Sequence, residues 1–539
     1  MKNLGKTDRK AWLGCLYPVI FISIGLFGYL LNTSNNFTSI PGDLGDARFN
    51  SVVLEHLYQW VSGDASYLWS PSYFYPFKWV LTFSDNHFGS AWSYIFFRSL
   101  EFTREKAYLS WFFVGTLLNF ICSYWALRKL DFSSLSSAIG AFVYAFSLPA
   151  LSLEMHAQLV YRFAVPLAFT FLIQYLLKSR ASSFAWCCVW TLIQFLCSIY
   201  VGVFLLYLLG AAFLVWLCFL RQKPPRSKSP RSSLWLKPPG LIASASILLI
   251  AVLLAVYGVV AHYYGFSRPN IETLSMTPHF ASYFLADRSG LTAWVGSWVH
   301  SIPPHLIHEQ QMFFGLGVWV ILLSGLLGVF LQGIHKQLGI LALGSLLVLF
   351  VLTLSIFNIS AYRLVLYIPG VSSVRAVSRI ILVMLLPIGI LAAIGVDYLS
   401  TRRSNIYAFL IPALLLVPEV LAYKPYTTPI SQWVERRETV RNLLAGSVSP
   451  NDILFVSSKN NAQYFLAELD GMILAQDLKI PTLNGYSGNV PAGHIQANPC
   501  GRVEDRIEEI KKSDAQLNSK LLARHLVKIE LDGPCNVGQ

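Results

Sequence analysis

The chain has 539 residues, of which 55% are hydrophobic and only 13% are charged, and its mean hydropathy is +0.52. In soluble domains about a quarter of all residues are charged, so this composition excludes an ordinary soluble protein and indicates a membrane protein. The formal net charge of +13 does not indicate nucleic-acid binding, because the basic residues stand in short breaks between apolar runs, where they act as topology signals.

Ten apolar runs in the sequence are long enough to cross a bilayer, which takes about 20 residues, and together they predict eleven membrane spans. The first run follows four basic residues and lacks a small-residue cleavage site, which predicts an uncleaved helix with a cytoplasmic N-terminus. One run, 184–220, is too long for a single crossing at about 1.5 Å per residue, and we divide it near 198–202. The other runs are 11–31, 107–127, 134–151, 160–177, 240–263, 314–333, 338–357, 380–399 and 406–422.

Alternating sides along the chain predicts the domain organisation. Lys and Arg concentrate in the predicted inner loops, above all in 221–239, as the positive-inside rule requires. The predicted parts are the N-terminus with its first helix (1–31), a large outer loop (32–106), the remaining helices (107–422, with an outer loop at 264–312) and an outer C-terminal segment (423–539). We therefore expect a multi-pass protein of the cytoplasmic membrane.

The C-terminal segment has a different composition and predicts a small extracytoplasmic α/β domain. NDILFVSS and HLVKIELD are typical of strands, and a charged helix is predicted over 501–526. Cys500 and Cys535 are the two cysteines outside the apolar runs. An oxidising outer compartment favours a disulfide between them, with two free thiols as the alternative.

The first outer loop carries two acidic sites that flank an amphipathic pattern. Residues 47–60 have one apolar face and predict an interfacial helix. Asp43 and Asp46 precede it, and Asp85 follows with Asn86 and His87. Two carboxylate sites at one membrane surface can form a general base or a cation site, whereas each Asp alone can be a helix N-cap. The sequence contains no GxxxxGK, HExxH or Cys/His cluster.

In its acidic first outer loop and its many predicted membrane helices, the chain resembles the GT-C superfamily of membrane glycosyltransferases, and within it the YfhO-like bacterial membrane proteins. Asp46 in Asp46-Ala47-Arg48 matches the superfamily's catalytic acid in the first outer loop. The resemblance implies sugar transfer from a polyprenyl-phosphate donor to an envelope glycan, lipid or protein. A second adjacent acid is absent, which leaves a requirement for Mg or Mn open. Five segments at matching outer positions extend the resemblance: 156–162, 198–202, 309–315, 369–379 and 484–488.

The resemblance and the residue types together define the candidate site. Asp46 is the predicted general base, with Asp43 and Asp85 as further catalytic candidates. Arg375 and Arg379 suit the departing phosphate, although Arg at a helix end also anchors to lipid headgroups. The remaining predicted substrate-binding residues are Arg48, Asn50, Glu55, His56, His87, His156, Gln158, Arg162 and Glu309.

Two other functions compete with sugar transfer. A transporter or flippase of lipid-linked glycans would carry ionisable residues within its membrane helices, and the predicted spans hold few of them. A non-catalytic envelope assembly protein with a degenerate site is the second alternative.

Overall fold

The computed structural model describes residues 6–221, 238–357, 359–368, 370–371, 374–402, 404–444, 446–459, 464–491, 494, 503–513 and 524–531. The helices are α1 (Lys6–Gly28), α2 (Asp46–Val61), α3 (Ala91–Ser99), α4 (Arg104–Lys129), α5 (Ser134–Phe146), α6 (Leu148–Ser152), α7 (Ala164–Lys178), α8 (Ala181–Cys197), α9 (Ile199–Val215), α10 (Pro238–Tyr263), α11 (Asn270–Ser275), α12 (Leu316–Gln332), α13 (Lys336–Thr353), α14 (Ile381–Arg402), α15 (Asn405–Leu421), α16 (Ile430–Asn442), α17 (Tyr464–Leu478) and α18 (Val503–Ser513). The strands are β1 (Ser39–Pro41), β2 (Ser355–Ile356), β3 (Ile359–Ser360), β4 (Thr427–Pro429), β5 (Asp452–Ser457) and β6 (His525–Glu530).

The membrane region confirms the predicted polytopic helical class. Within the described residues, eight helical segments are long and apolar enough to cross a membrane, and three shorter apolar helices, α8, α12 and α15, have 17 residues each. Each corresponds to one predicted span. The division of the longest run is also confirmed, because Ser198 is extended (φ −162°, ψ 123°) and its side chain caps α9 by accepting the Val201 N–H.

The core of the membrane region is built around α14, whose residues 381–396 are all buried. It packs against α5 and α12. The contact with α5 is a backbone approach between Gly140 and Gly389, since a Cβ on either glycine would lie 2.6 Å from the other's carbonyl oxygen. Small residues permit such close helix packing inside a membrane.

The long connections meet on one face of this bundle, here called the loop face. Strand β1 from the first loop pairs antiparallel with β4, which follows α15. Strands β5 and β6 pair in parallel, and α17 packs on β5, as an α/β segment was predicted to do. Of the predicted charged helix 501–526, residues 503–513 form α18 and residues 525–526 belong to β6 instead. Residues 501–502 and 514–523, together with Cys500 and Cys535, lie outside the described residues.

Helix α2 lies where the amphipathic pattern placed it, but its environment differs from the prediction. Residues 47–57 are all buried, because α3 and α4 pack on one side and α17 of the C-terminal segment covers another. Phe49 and Leu54 share a single core with Leu469 and Met472. An interfacial helix would keep a solvent-exposed face, so α2 is instead an internal helix that joins the loop to the C-terminal segment.

Candidate functional site

A tight turn presents Asp46 at the start of α2. Gly42, which joins β1 to this turn, has a φ of +97° that favours glycine, and its N–H donates to the Tyr426 carbonyl at 2.8 Å. Thr428 Oγ1 donates to the Gly42 carbonyl at 2.7 Å. Asp43 Oδ1 accepts the Gly45 N–H at 3.0 Å, and α2 begins at the next residue. The turn is thus fixed by the segment around β4 on one side and by the Asp43 side chain on the other.

The Asp46 carboxylate is held by two donors and keeps 37% of its side chain exposed. His156 Nδ1 lies 3.1 Å from Oδ2, and the Tyr486 hydroxyl donates to Oδ1 at 3.0 Å. Burial opposes ionisation, but the hydrogen bonds from His156 and Tyr486 and the charge of Arg379 outweigh it and lower the Asp46 pKa. At neutral pH the group is an oriented, accessible carboxylate.

His156 connects Asp46 to a buried ion pair. His156 Nε2 lies 3.3 Å from Glu309 Oε1, and Glu309 accepts from Arg379 Nε at 2.8 Å and Nη2 at 2.5 Å. Burial and Arg379 lower the pKa of His156, but Glu309 and Asp46 outweigh them and raise it above its ordinary value. Burial alone would raise the Glu309 pKa, yet Arg379 and His156 hold it well below the usual range. Asp46, His156, Glu309 and Arg379 thus form a row of alternating negative and positive groups, here called the charge chain.

Three further residues that were predicted to bind substrate instead form hydrogen bonds that fix the backbone at Asp46. Asn50 Nδ2 donates to the Asp46 carbonyl at 2.7 Å and to Gln158 Oε1 at 3.2 Å. His87 Nε2 lies 2.7 Å from Asn50 Oδ1, and burial lowers the His87 pKa to about 3. His87 is therefore a neutral donor, and these side chains position the start of α2.

Two partly exposed arginines and a histidine lie beside the charge chain. The side chain of Arg375 is 41% exposed and lies 3.5 Å from Glu272, and His308 Nε2 lies 3.9 Å from Glu309. Arg268 donates to the Gly488 carbonyl at 2.6 Å, and burial together with the Arg375 charge lowers the Arg268 pKa. Arg379, in contrast, is only 5% exposed and fully engaged by Glu309. The two arginines predicted as phosphate ligands thus have different environments, and only Arg375 is available to a ligand.

Asp43 and Asp85 differ from Asp46. Asp43 is exposed at the surface of the turn, and partial desolvation of its carboxylate by the surrounding turn, together with the Asp46 charge, raises its pKa. Asp85 accepts from Ser198 Oγ and, at 2.7 Å, from the Ile199 N–H, so its carboxylate fixes the start of α9. Burial raises the Asp85 pKa. We therefore replace its predicted catalytic role with a capping role.

Four predicted substrate-binding residues make contacts elsewhere and are each less than 5% exposed. Such burial leaves no surface for a substrate, so packing and pairing replace the predicted roles. Their partners are Asp470 for Arg48 at 2.6 Å, Arg98 and Tyr94 for Glu55, the Leu68 carbonyl for His56 at 2.8 Å, and the Tyr144 carbonyl for Arg162 at 3.3 Å.

The residues around Asp46 do not fit a site for Mg or Mn. Both Asp46 oxygens already accept hydrogen bonds, and Glu309 is paired with Arg379. Across the part of the chain that the structure describes, no group of three or more His, Cys, Asp or Glu residues is arranged to hold a metal ion. We therefore assign no step to a metal.

Sequence reasoning missed several members of the site. Tyr486 belongs to the segment 484–488, which the resemblance singled out without giving it a role. His308 adjoins the predicted Glu309, and nothing in the sequence distinguishes Arg268 from other outer-loop cations. Their proximity depends on segments that are far apart in the chain, which no local pattern reveals.

Comparisons with known proteins found similarity of structure alone. No protein-family model matches the chain, and no curated protein matches it in sequence, so the YfhO-like assignment stays a prediction. The apo oligosaccharyltransferase of Archaeoglobus fulgidus aligns with 12% identity and a TM-score of 0.47 over 88% of this chain and 64% of that chain. AglB of the same organism, in complex with an inhibitory peptide and a dolichol-phosphate, aligns with 11% identity and a TM-score of 0.47 over 87% of this chain and 64% of that chain. The chain thus spans less than two thirds of these proteins.

Proposed function

We propose that this chain is a GT-C-type membrane glycosyltransferase that transfers a sugar from a polyprenyl-phosphate donor to an envelope glycan, lipid or protein at the outer face of the cytoplasmic membrane. The observation that supports it is the partly exposed Asp46 carboxylate, held by His156 and Tyr486 at the end of a buried charge chain. Perturbed carboxylates and histidines that converge on an accessible group are typical of catalytic sites.

In the proposed reaction, Asp46 accepts the proton of an acceptor hydroxyl while the hydroxyl oxygen forms a bond to the anomeric carbon of the sugar. The bond between that carbon and the phosphate oxygen breaks, and the phosphate departs with the electron pair. The lowered pKa of Asp46 keeps this carboxylate ionised. It can therefore accept the proton as the acceptor hydroxyl becomes more acidic in the transition state. A positioned base of this kind contributes roughly 10²- to 10⁴-fold.

The departing phosphate needs cations whose N–H groups are accessible to a ligand. Arg375 and Arg268 are partly exposed cations next to the charge chain, and arginine can bind phosphate with two parallel hydrogen bonds. His308 lies beside them as a neutral hydrogen-bonding group, because burial lowers its pKa. Arg379 acts differently: it holds Glu309, which in turn orients His156. It is therefore a positioning residue.

The position of this cluster favours transferase chemistry over transport. Asp46 lies in the loop after the first span, Glu309 lies in the loop before α12, and His156 and Arg379 lie at helix ends on the same face. Transporters place their binding residues near the middle of the membrane, between broken helices. A reaction at the membrane surface suits a lipid-linked donor and an aqueous acceptor.

Mass analysis of envelope glycans tests the proposal. We expect deletion of the gene to remove one sugar from a glycan, lipid or protein, and a plasmid copy of the wild type to restore it. A copy with Asp46→Asn should not restore it, although the variant is present in the membrane. An unchanged glycan profile after deletion would contradict sugar transfer, and restoration by the Asn variant would contradict the base.

A further inference from the structure

A basic cavity of about 300 Å³ lies on the face opposite the loop face. Three separate connections surround it: the turn after α4, the end of α7 and the turn between α12 and α13. Its wall toward the bundle is apolar, and its rim carries charged side chains. The apolar wall includes Leu130, Ile173, Leu177 and Leu338, and the rim includes Lys129, Lys178, His335, Lys336 and Asp131.

The positive charge at this rim is not neutralised within the protein. Lys129, Lys178 and Lys336 are exposed, and none of the three forms an ion pair with a carboxylate among the described residues. The nearby Asp397 is already engaged by Ser136 and by His335, whose Nε2 lies 3.2 Å away. One acid, Asp131, lines the cavity.

The three lysines come from segments more than 40 positions apart, so the cavity is formed by folding and not by one basic run. Lys129 is also oriented, because its ammonium group lies 5.4 Å from the centroid of the Trp125 ring. The first turn of α13 borders the cavity and has no side-chain cap, which adds positive potential to that of the lysines. The rim lies at the ends of three helices that are long and apolar enough to cross a membrane, and such helix ends are expected at the depth of lipid headgroups.

We propose that this cavity binds the phosphate headgroup of an anionic phospholipid from the adjacent leaflet. The lysines contact the phosphate, and the apolar wall contacts the first carbons of the acyl chains. Lysines at the headgroup level each attract anionic lipid, and basic pockets between membrane helices bind phosphate headgroups. The bound lipid links three helix connections, so it stabilises the bundle. This site is independent of the proposed sugar transfer.

Native mass spectrometry of the full-length protein in detergent tests this inference, with phosphatidylglycerol as the anionic probe and phosphatidylcholine as the neutral one. We expect saturable binding of phosphatidylglycerol in preference to phosphatidylcholine. The variant with Lys129→Gln, Lys178→Gln and Lys336→Gln should bind phosphatidylglycerol at least about tenfold more weakly, given the contribution of each lysine. Thermal unfolding with and without the lipid provides a second readout, and the stabilisation should disappear in this variant.

The matched control removes three positive charges from the same face but outside the cavity: Arg180→Gln, Arg221→Gln and Arg402→Gln. We expect it to retain the wild-type affinity. Equal weakening in both variants would show a general surface charge effect and overturn the site. Equal binding of both lipids would also overturn it. Displacement of the lipid by millimolar inorganic phosphate would show that the cavity binds a soluble phosphate, and it would contradict the proposal of a phospholipid site.

Discussion

Two acidic turns of the same loop, one at Asp46 and one at Asp85, share sequence features but have opposite environments. Both precede helical stretches and both lie beside small or polar residues. Asp46 faces His156 and Tyr486 and stays 37% exposed, whereas Asp85 accepts hydrogen bonds from the first residues of α9. Their pKa values consequently move in opposite directions, down for Asp46 and up for Asp85. Residues far away in the chain therefore decide the environment and the pKa of each acid.

The strongest test of this comparison is Asp46→Asn. The substitution keeps the size of the side chain and removes its basicity, so we expect sugar transfer to fall by roughly 10²- to 10⁴-fold. The rate would be measured on purified protein with a polyprenyl-phosphate sugar, alongside binding of that donor, which should persist.

Asp43→Asn is the matched control for Asp46→Asn, because it changes an exposed carboxylate three positions earlier in the same turn. We expect transfer to stay within about threefold of the wild type, since surface substitutions have small effects. If Asp43→Asn abolished transfer and Asp46→Asn did not, the roles of the two aspartates would be reversed.

Asp85→Ala should affect stability instead of chemistry. Removing the carboxylate leaves the Ser198 hydroxyl and the Ile199 N–H without their acceptor, at a cost of about 1–3 kcal/mol. Thermal unfolding in detergent would show a lower midpoint, and the protein that remains folded should transfer sugar at close to the wild-type rate. An unchanged midpoint with lost transfer would return Asp85 to the catalytic candidates.

The pH dependence of transfer tests the comparison of Asp46 with Asp85 further, because the partner of Asp46, His156, titrates. Its folded pKa is raised, so the stabilisation from its contacts with Asp46 and Glu309 is complete below about pH 6.5 and is lost as the pH rises through the folded value. The lowered Asp46 pKa gives a contribution that is lost only as the pH falls through that lower value. Transfer should therefore decline on the alkaline side as His156 loses its proton.

His156→Gln should remove this alkaline decline and lower the rate by at least about tenfold, because a hydrogen bond to a charged group is worth about 1.5–3 kcal/mol. A pH–rate profile from pH 5 to about 9 would reveal both effects. The neutral His87 provides the contrast, since its pKa of about 3 lies outside this interval and His87→Gln should leave the shape of the profile unchanged. An alkaline decline that survived His156→Gln would show that another group causes it.

The sequence predicted the helices well because hydrophobic length and charge placement are local signals. The eleven spans, the break at Ser198 and the two strands of the C-terminal segment all follow from such signals. The catalytic role of Asp46 stays a prediction, and in the sequence only a resemblance separated Asp46 from Asp85. The burial of α2 was not predictable, because its covering helix α17 lies more than 400 positions later. The same applies to Arg48, whose partner Asp470 has no signal in the sequence near it.

Among the substitutions expected to lower the transfer rate, Tyr486→Phe has the smallest effect, and it tests whether distant partners act on Asp46 individually. The variant loses the hydroxyl that donates to Asp46 Oδ1 at 3.0 Å. A hydrogen bond from this neutral donor is worth about 0.5–1.5 kcal/mol, so transfer should fall by about two- to tenfold. The acidic limb of the pH profile should also move upward, because that hydrogen bond lowers the Asp46 pKa. Tyr464→Phe removes a hydroxyl from the same segment with no contact to Asp46 among the described residues, and it should change neither quantity. A loss of rate in Tyr486→Phe without movement of the acidic limb would mean that Tyr486 contacts the substrate and does not tune the carboxylate.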